Sequence, residues 1–205
     1  LQALNTKPKV ELKVETTNPE AYEFLLKAKH KYDKRENTDD VEIARGLLNK
    51  AIELDDNLIL AKNLLGTTYR EMGDYDKAME IFSPALKQAE ELGEKKGMGI
   101  SLNSIGVMYG NKGELDKALD YFDRSLVISE ELGEKHGVEF SLNNIGLVYW
   151  NQGYYDKALD YHERSLAIGE QIGDKRGMVN SLGNIGIVYA VQGDYDKALD
   201  YYKRS

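Results

Sequence analysis

GDYDKA, at Gly73–Ala78, returns as GELDKA at Gly113–Ala118, as GYYDKA at Gly153–Ala158 and as GDYDKA at Gly193–Ala198. Each step is 40 residues, and Gly66, Gly106, Gly146 and Gly186 keep it, as do Tyr69, Tyr109, Tyr149 and Tyr189. Residues 138–165 and 178–205 are identical at 18 of 28 positions, so the chain is an internal repeat and its fold is read one unit at a time. A looser copy precedes these. It reads AYEFLLKAK (Ala21–Lys29), a polar loop KRENTDD (Lys34–Asp40), and ARGLLNKAIELDD (Ala44–Asp56).

Within a unit the spacing is helical. Leu115, Ala118, Leu119, Phe122 and Leu126 fall at i, i+3, i+4, i+7 and i+11, one stripe of a helix. Asp120/Arg124 and Asp160/Arg164 stand at i, i+4 on the opposite face. The preceding segment places Leu102, Ile105, Gly106 and Tyr109 on one side. Each unit is therefore expected to be two helices. The glycine of GDYDKA closes the first, and the acid after it caps the second. Gly93, Gly133 and Gly173 are expected as left-handed residues ending the second helices.

The pattern L-G-x-x-Y, then Ala, then an aromatic, then Ala or Ser, resembles the tetratricopeptide repeat over roughly Asn18–Ser205. The 40-residue step departs from that family's usual 34 and is similar to the long-helix variety of kinesin light chains and spindle-orientation adaptors. The first copy, NPEAYEFLLKAK…KAIELDDN, resembles repeats that follow cyclase or TolB-like domains in bacterial signalling proteins. The resemblance implies an all-α, right-handed superhelical solenoid of about five helix-turn-helix units. Their expected limits are about 18–57, 58–93, 94–133, 134–173 and 174–205, the last one truncated, with residues 1–17 a linker or the tail of an upstream domain. The start at Leu1 and the stop at Ser205 in mid-pattern fit an excised fragment.

Composition narrows the function. The 205 residues carry a net charge of −8, which argues against a nucleic-acid backbone as partner. There is no cysteine, and three histidines lie far apart, so neither a thiolate nucleophile nor a metal site is expected. No run approaches the ~20 apolar residues that span a bilayer. The expectation is a cytoplasmic protein with no membrane partner. No phosphate loop, HExxH or GxSxG motif occurs, and Gly97-Met98-Gly99 alone is too short a signal. Catalysis and cofactors are therefore not expected.

Charge is partitioned between the helices. Residues 98–111, 138–151 and 178–191 contain one charged residue, Glu139, whereas the second helices are dense in charge. The resemblance places the first helices on the concave face, so it implies a neutral groove inside an acidic shell. The expected groove residues are Asn63, Asn103, Ser104, Asn143, Asn144 and Asn184, a ladder of polar side chains for the backbone of an extended peptide or a partner helix. The same asparagines are equally suited to bonding a neighbouring helix. The expected apolar lining is Ile100, Val107, Phe140, Leu147, Trp150 and Ile187. Arg70 is the one basic residue at the matching positions, so an acidic tail is not the expected ligand.

Other residues carry structural expectations. His162 replaces the aromatic of Phe82, Phe122 and Tyr202 and reads as a packed histidine, while His136 reads as solvated. Pro84 is expected to kink its helix near Glu80. Gly146→Leu and Ala158→Leu are expected to overpack the helix pair. The last unit shows no polar cap, which leaves an apolar edge open to a second copy of the chain. A regulatory or self-associating arm of a larger signalling protein is the alternative function.

Overall fold

A computed structural model describes residues 18–205, and the expectation for 1–17 lies outside them. The described residues form ten helices in two compact units, divided after Leu58.

In the first unit, α1 (Pro19–Asp33) and α2 (Thr38–Leu54) pair. Asn18 caps α1 by accepting from the amides of Glu20 and Ala21, and Pro19 at the first turn has no N–H to leave unpaired. Asn37 caps α2 by accepting from Asp40 N. That cap draws Thr38–Asp40 into the helix, so the connection is shorter than the polar stretch KRENTDD suggests. Ala21, Leu25, Ala28 and Tyr32 are buried on one helix, and Val41, Ala44, Leu48 and Ala51 on the other. Asn18 Nδ2 donates to Leu54 O (3.0 Å) and ties the two ends together.

The second unit holds α3 (Ile59–Glu71), α4 (Tyr75–Leu92), α5 (Lys95–Asn111), α6 (Leu115–Leu132), α7 (Lys135–Asn151), α8 (Tyr155–Ile172), α9 (Lys175–Gln192) and α10 (Tyr195–Arg204). Every turn between them is left-handed at one glycine, with φ from +67° at Gly93 to +83° at Gly193. A side chain with a Cβ would be strained there. The acid after the turn glycine caps by accepting from Lys77 N at Asp74 and from Lys197 N at Asp194. Glu114 makes no such bond and pairs with Lys117 Nζ instead.

Consecutive helices pack in sequence, and α3 also touches α5, α5 touches α7 and α7 touches α9. The backbones of α4, α6, α8 and α10 stand further apart, and α6 meets α4 through the Arg124–Glu90 ion pair (3.2 Å). Within this unit α3, α5, α7 and α9 are therefore an inner layer and α4, α6, α8 and α10 an outer one.

The repeated residues explain that packing. Gly66, Gly106, Gly146 and Gly186 lie under the rings of Phe82, Phe122, His162 and Tyr202, and a Cβ at any of them would come within 2.6–2.8 Å of the ring. The ring, rather than the repeated alanine, covers this glycine. Ala118 faces Gly110 (3.9 Å from a Cβ built there). Tyr109, Tyr149 and Tyr189 stack on Tyr121, Tyr161 and Tyr201 at 5.3–5.6 Å between centroids. The lysine of DKA lies over the first of each pair, with Lys117, Lys157 and Lys197 Nζ at 4.9–5.0 Å from the ring centre.

Pro84 sits inside α4, which continues to Leu92. The proline is on the exposed side while Ala85 and Leu86 are buried, so its ring meets solvent and the helix is not ended.

Candidate functional site

The inner layer of the second unit carries the expected site residues, and packing sorts them into two groups. Asn63 is 2% exposed. Its Nδ2 donates to Gly97 O (3.0 Å) and its Oδ1 accepts from Ser101 Oγ (2.6 Å), so the whole amide joins α3 to α5. Asn103 and Ser104 are buried too. Asn103 Nδ2 donates to Ser141 Oγ, which donates to Ser125 Oγ, which in turn donates to Gly99 O. These three side chains offer a ligand almost no surface, and hydrogen bonds between helices consume the amides of Asn63 and Asn103.

Asn143, Asn144 and Asn184 are half-buried at the surface. Asn144 Nδ2 donates to Asn103 Oδ1 (3.1 Å), and Asn184 Nδ2 donates to Asn143 Oδ1 (3.0 Å). The asparagine of one unit thus bonds the asparagine one place further on in the next. The ladder expected from the sequence exists, and its rungs join unit to unit. Asn143 Nδ2, Asn144 Oδ1 and Asn184 Oδ1 make no hydrogen bond among the described residues.

The apolar candidates are more open. Phe140 is 55% exposed, Ile187 41% and Ile100 37%, while Val107 and Leu147 are half-buried. Trp150 is half-buried, and its Nε1 is shut off from solvent without a hydrogen-bond acceptor among the described residues. Any contact it makes is through its ring. A cleft of about 350 Å³ lies over α5, with Thr67, Arg70, Ile100, Asn103, Ser104 and Phe140 among its walls. A second cleft, of about 400 Å³, includes Phe140, Asn143, Arg176 and Asn180. Phe140 belongs to both. The basic residues of the first cleft are largely neutralised at its edge, where Lys95 pairs with Glu131 (2.9 Å) and Lys96 with Glu134 (3.4 Å).

Two titratable groups stand out in this layer. His162 is fully buried against Gly146, and its Nδ1 lies 3.0 Å from Asn143 Oδ1, which makes Nδ1 the protonated nitrogen. Its Nε2 has no partner among the described residues. Burial pushes its pKa down to about 4. Glu139 is 4% exposed, and burial, with the Asp174 charge adding to it, pushes its carboxyl up to about 7. Among the described residues, His136, Glu139 and Asp174 are the one set with the spacing of metal ligands. Sequence spacing gave no hint of this set, because Asp174 is brought in from the next unit. The available signal was Glu139 itself, the single charge in the inner helices.

The family model described as Tetratricopeptide repeat matches residues 57–131, 97–170 and 137–205, and so covers 57–205 without a gap. No curated protein sequence matches the chain. Solved structures share the fold at low identity. A Rap protein complexed with Competence and Sporulation Factor is 19% identical (TM-score 0.76), and the match covers 90% of this chain and 52% of that one. A signal transduction ATPase from Pyrococcus horikoshii with a tetratricopeptide repeat sensor is 19% identical (TM-score 0.75), covering 90% and 28%. BtubC from P. vanneervenii is 22% identical (TM-score 0.66), covering 90% and 86%. The chain spans about half of the Rap protein and about a quarter of the ATPase. No described helix is long and apolar enough to cross a membrane.

Proposed function

Since this chain belongs to the tetratricopeptide repeat family, a protein-interaction fold, we propose that its inner layer holds an extended segment of a partner protein. The observation that carries this reading is the row of exposed apolar side chains Ile100, Phe140 and Ile187 on α5, α7 and α9, beside two clefts that share Phe140. Apolar side chains of the segment fill the clefts. Its backbone meets the unspent amide groups of Asn143, Asn144 and Asn184. The asparagines set register, and the apolar row supplies most of the affinity, because each amide already has one partner in the free protein. The neutral surface favours an uncharged, apolar-rich segment. The Rap protein solved with Competence and Sporulation Factor supports the reading by precedent of fold.

Selection from a displayed library of random twelve-residue peptides tests it. Peptides rich in apolar residues are expected to enrich on the native chain. The double variant Phe140→Asp/Ile187→Asp is expected to bind them at least about tenfold more weakly while its helix content stays the same. Selected peptides that bind native and variant chains alike would contradict the reading.

A second reading concerns self-association. Tyr195, Leu199 and Tyr202 on α10 are 73%, 53% and 43% exposed, whereas Phe122, the counterpart of Tyr202, is 3% exposed. A second copy packing on α10 would bury them. Light scattering across a dilution series is expected to show a dimer that Leu199→Glu dissociates. A monomer mass at every concentration would count against it.

A further inference from the structure

The repeat breaks its own pattern at one junction, and three departures meet there. Position 139 is Glu where the units on either side have Gly99 and Val179. Position 169, which faces it, is Gly where the earlier units have Ala89 and Ser129. Position 136 is His where the units on either side have Lys96 and Arg176. These changes are coupled in space. Glu139 Oε1 occupies the room left by Gly169 and Gly177, and a Cβ there would stand 2.5 Å and 1.9 Å from it. One unit earlier, Lys96 pairs with Glu134 across the junction (3.4 Å). At the altered junction His136 faces the corresponding acid, Asp174, with Nδ1 3.3 Å from Oδ2. A periodic lysine–acid pair has thus become an imidazole–acid pair with a second, buried carboxylate beside it.

We propose that His136, Glu139 and Asp174 bind a divalent transition-metal ion, with Zn²⁺ the best fit to one imidazole and two carboxylates. Ligand atoms about 2.1 Å from a common ion stand about 3.0–3.4 Å apart. Here His136 Nδ1 is 3.3 Å from Asp174 Oδ2 and 3.8 Å from Glu139 Oε2, and ligand atoms of all three lie within 4.8 Å of one another. Small side-chain rotations close that set onto one ion.

An independent observation points to a ligand. The Glu139 side chain is 5% exposed and its Oε1 has no hydrogen-bond partner among the described residues. A buried carboxylate oxygen is ordinarily paired or coordinated. The nearest nitrogen ligand, the His136 imidazole, is 70% exposed and faces only the other oxygen. Asp174 spends Oδ1 on the amides of Arg176 and Gly177, which fixes the carboxylate at the start of α9 and turns Oδ2 toward the imidazole. The ion would bridge α7 to the turn before α9 and set the spacing of two units beside Phe140. Open coordination positions would be filled by water. The site stands whether or not a peptide occupies the clefts.

Isothermal titration of the whole chain with ZnCl₂ tests the proposal, with His136→Ala and Glu139→Gln titrated in parallel. The His136 side chain is largely in solvent, so its removal does not threaten folding. Glu139→Gln keeps the shape of the buried group. The expected result is one ion per native chain and a loss of affinity of at least about tenfold in both variants. Cobalt in place of zinc is expected to give visible absorption bands that both variants lose. No saturable binding to the native chain would overturn the site. Binding of equal strength in all three proteins would also overturn it, as adventitious attachment to the acidic outer layer.

Discussion

Gly146→Leu is expected to destabilise the second unit by about 3 kcal/mol. A Cβ at Gly146 would stand 2.7 Å from His162 Cε1 and within 2.9 Å of both ring nitrogens. The ring cannot retreat, because His162 is fully buried and its Nδ1 is held by Asn143. Leucine recovers roughly 1 kcal/mol of helix propensity over glycine, which is too little to offset the overlap. For a domain of this size that corresponds to a fall in Tm of about 6–12 °C. Gly183→Ala is the control. Nothing lies within 4 Å of a Cβ there, and the substitution is expected to stabilise by about 0.5–1 kcal/mol. Ala158→Leu belongs with Gly146→Leu, since Ala158 is fully buried. An unchanged Tm in both would refute the register of the helix pair.

Mild acid is expected to weaken the protein through His162. Its folded pKa of about 4 lies below the ordinary histidine value of 6.5. Between these values the unfolded state binds more protons than the folded one, so stability falls as pH falls. The contribution is complete above pH 6.5 and is lost progressively down to pH 4. By pH 5 the loss amounts to about 2 kcal/mol. The cause is specific: Nε2 has no acceptor or donor within reach, and the pocket has no carboxylate to pair with an imidazolium. His162→Phe installs the residue found at Phe82 and Phe122, and Asn143 Oδ1 keeps its bond from Asn184. Glu139, whose carboxyl is raised to about 7, acts in the opposite sense over this range but does so in both proteins, so in urea midpoints measured from pH 7 to pH 5 the native chain is expected to lose about 2 kcal/mol relative to the variant. Parallel slopes would show that other groups govern the acid response.

The sequence made the helix pairs and their turns legible because two simple constraints repeat. One is the left-handed glycine, and the other is a glycine under a ring. What covers Gly106 is not legible in the sequence, because helical spacing gives a face but not which residue of the partner helix meets it. Phe122 does, and Ala118 faces Gly110. The connection before α2 is shorter than its polar stretch suggests, because Thr38–Asp40 are polar and polarity alone does not separate a capped first turn from a loop.

The candidate site was legible in part. Position and polarity of the asparagine ladder were readable, but its bonds were not. A periodic amide is equally suited to a ligand and to the next helix, and Asn63 shows the second outcome in full. The openness of Phe140 and Ile187 depends on neighbours from adjacent units, which no single repeat reports. The cluster at Glu139 was hidden for the same reason, since its parts are spread over His136, Gly169 and Asp174.

The central claim is that the apolar row of the inner helices is the binding surface. Methyl-labelled NMR of the 205-residue chain, titrated with a selected peptide, tests it directly. The account predicts that the methyls of Ile100, Leu147 and Ile187 shift and saturate together. Val127, exposed on the outer helix α6, stays still. Shifts confined to Val127 and its outer-layer neighbours, with the inner methyls unmoved, would contradict it.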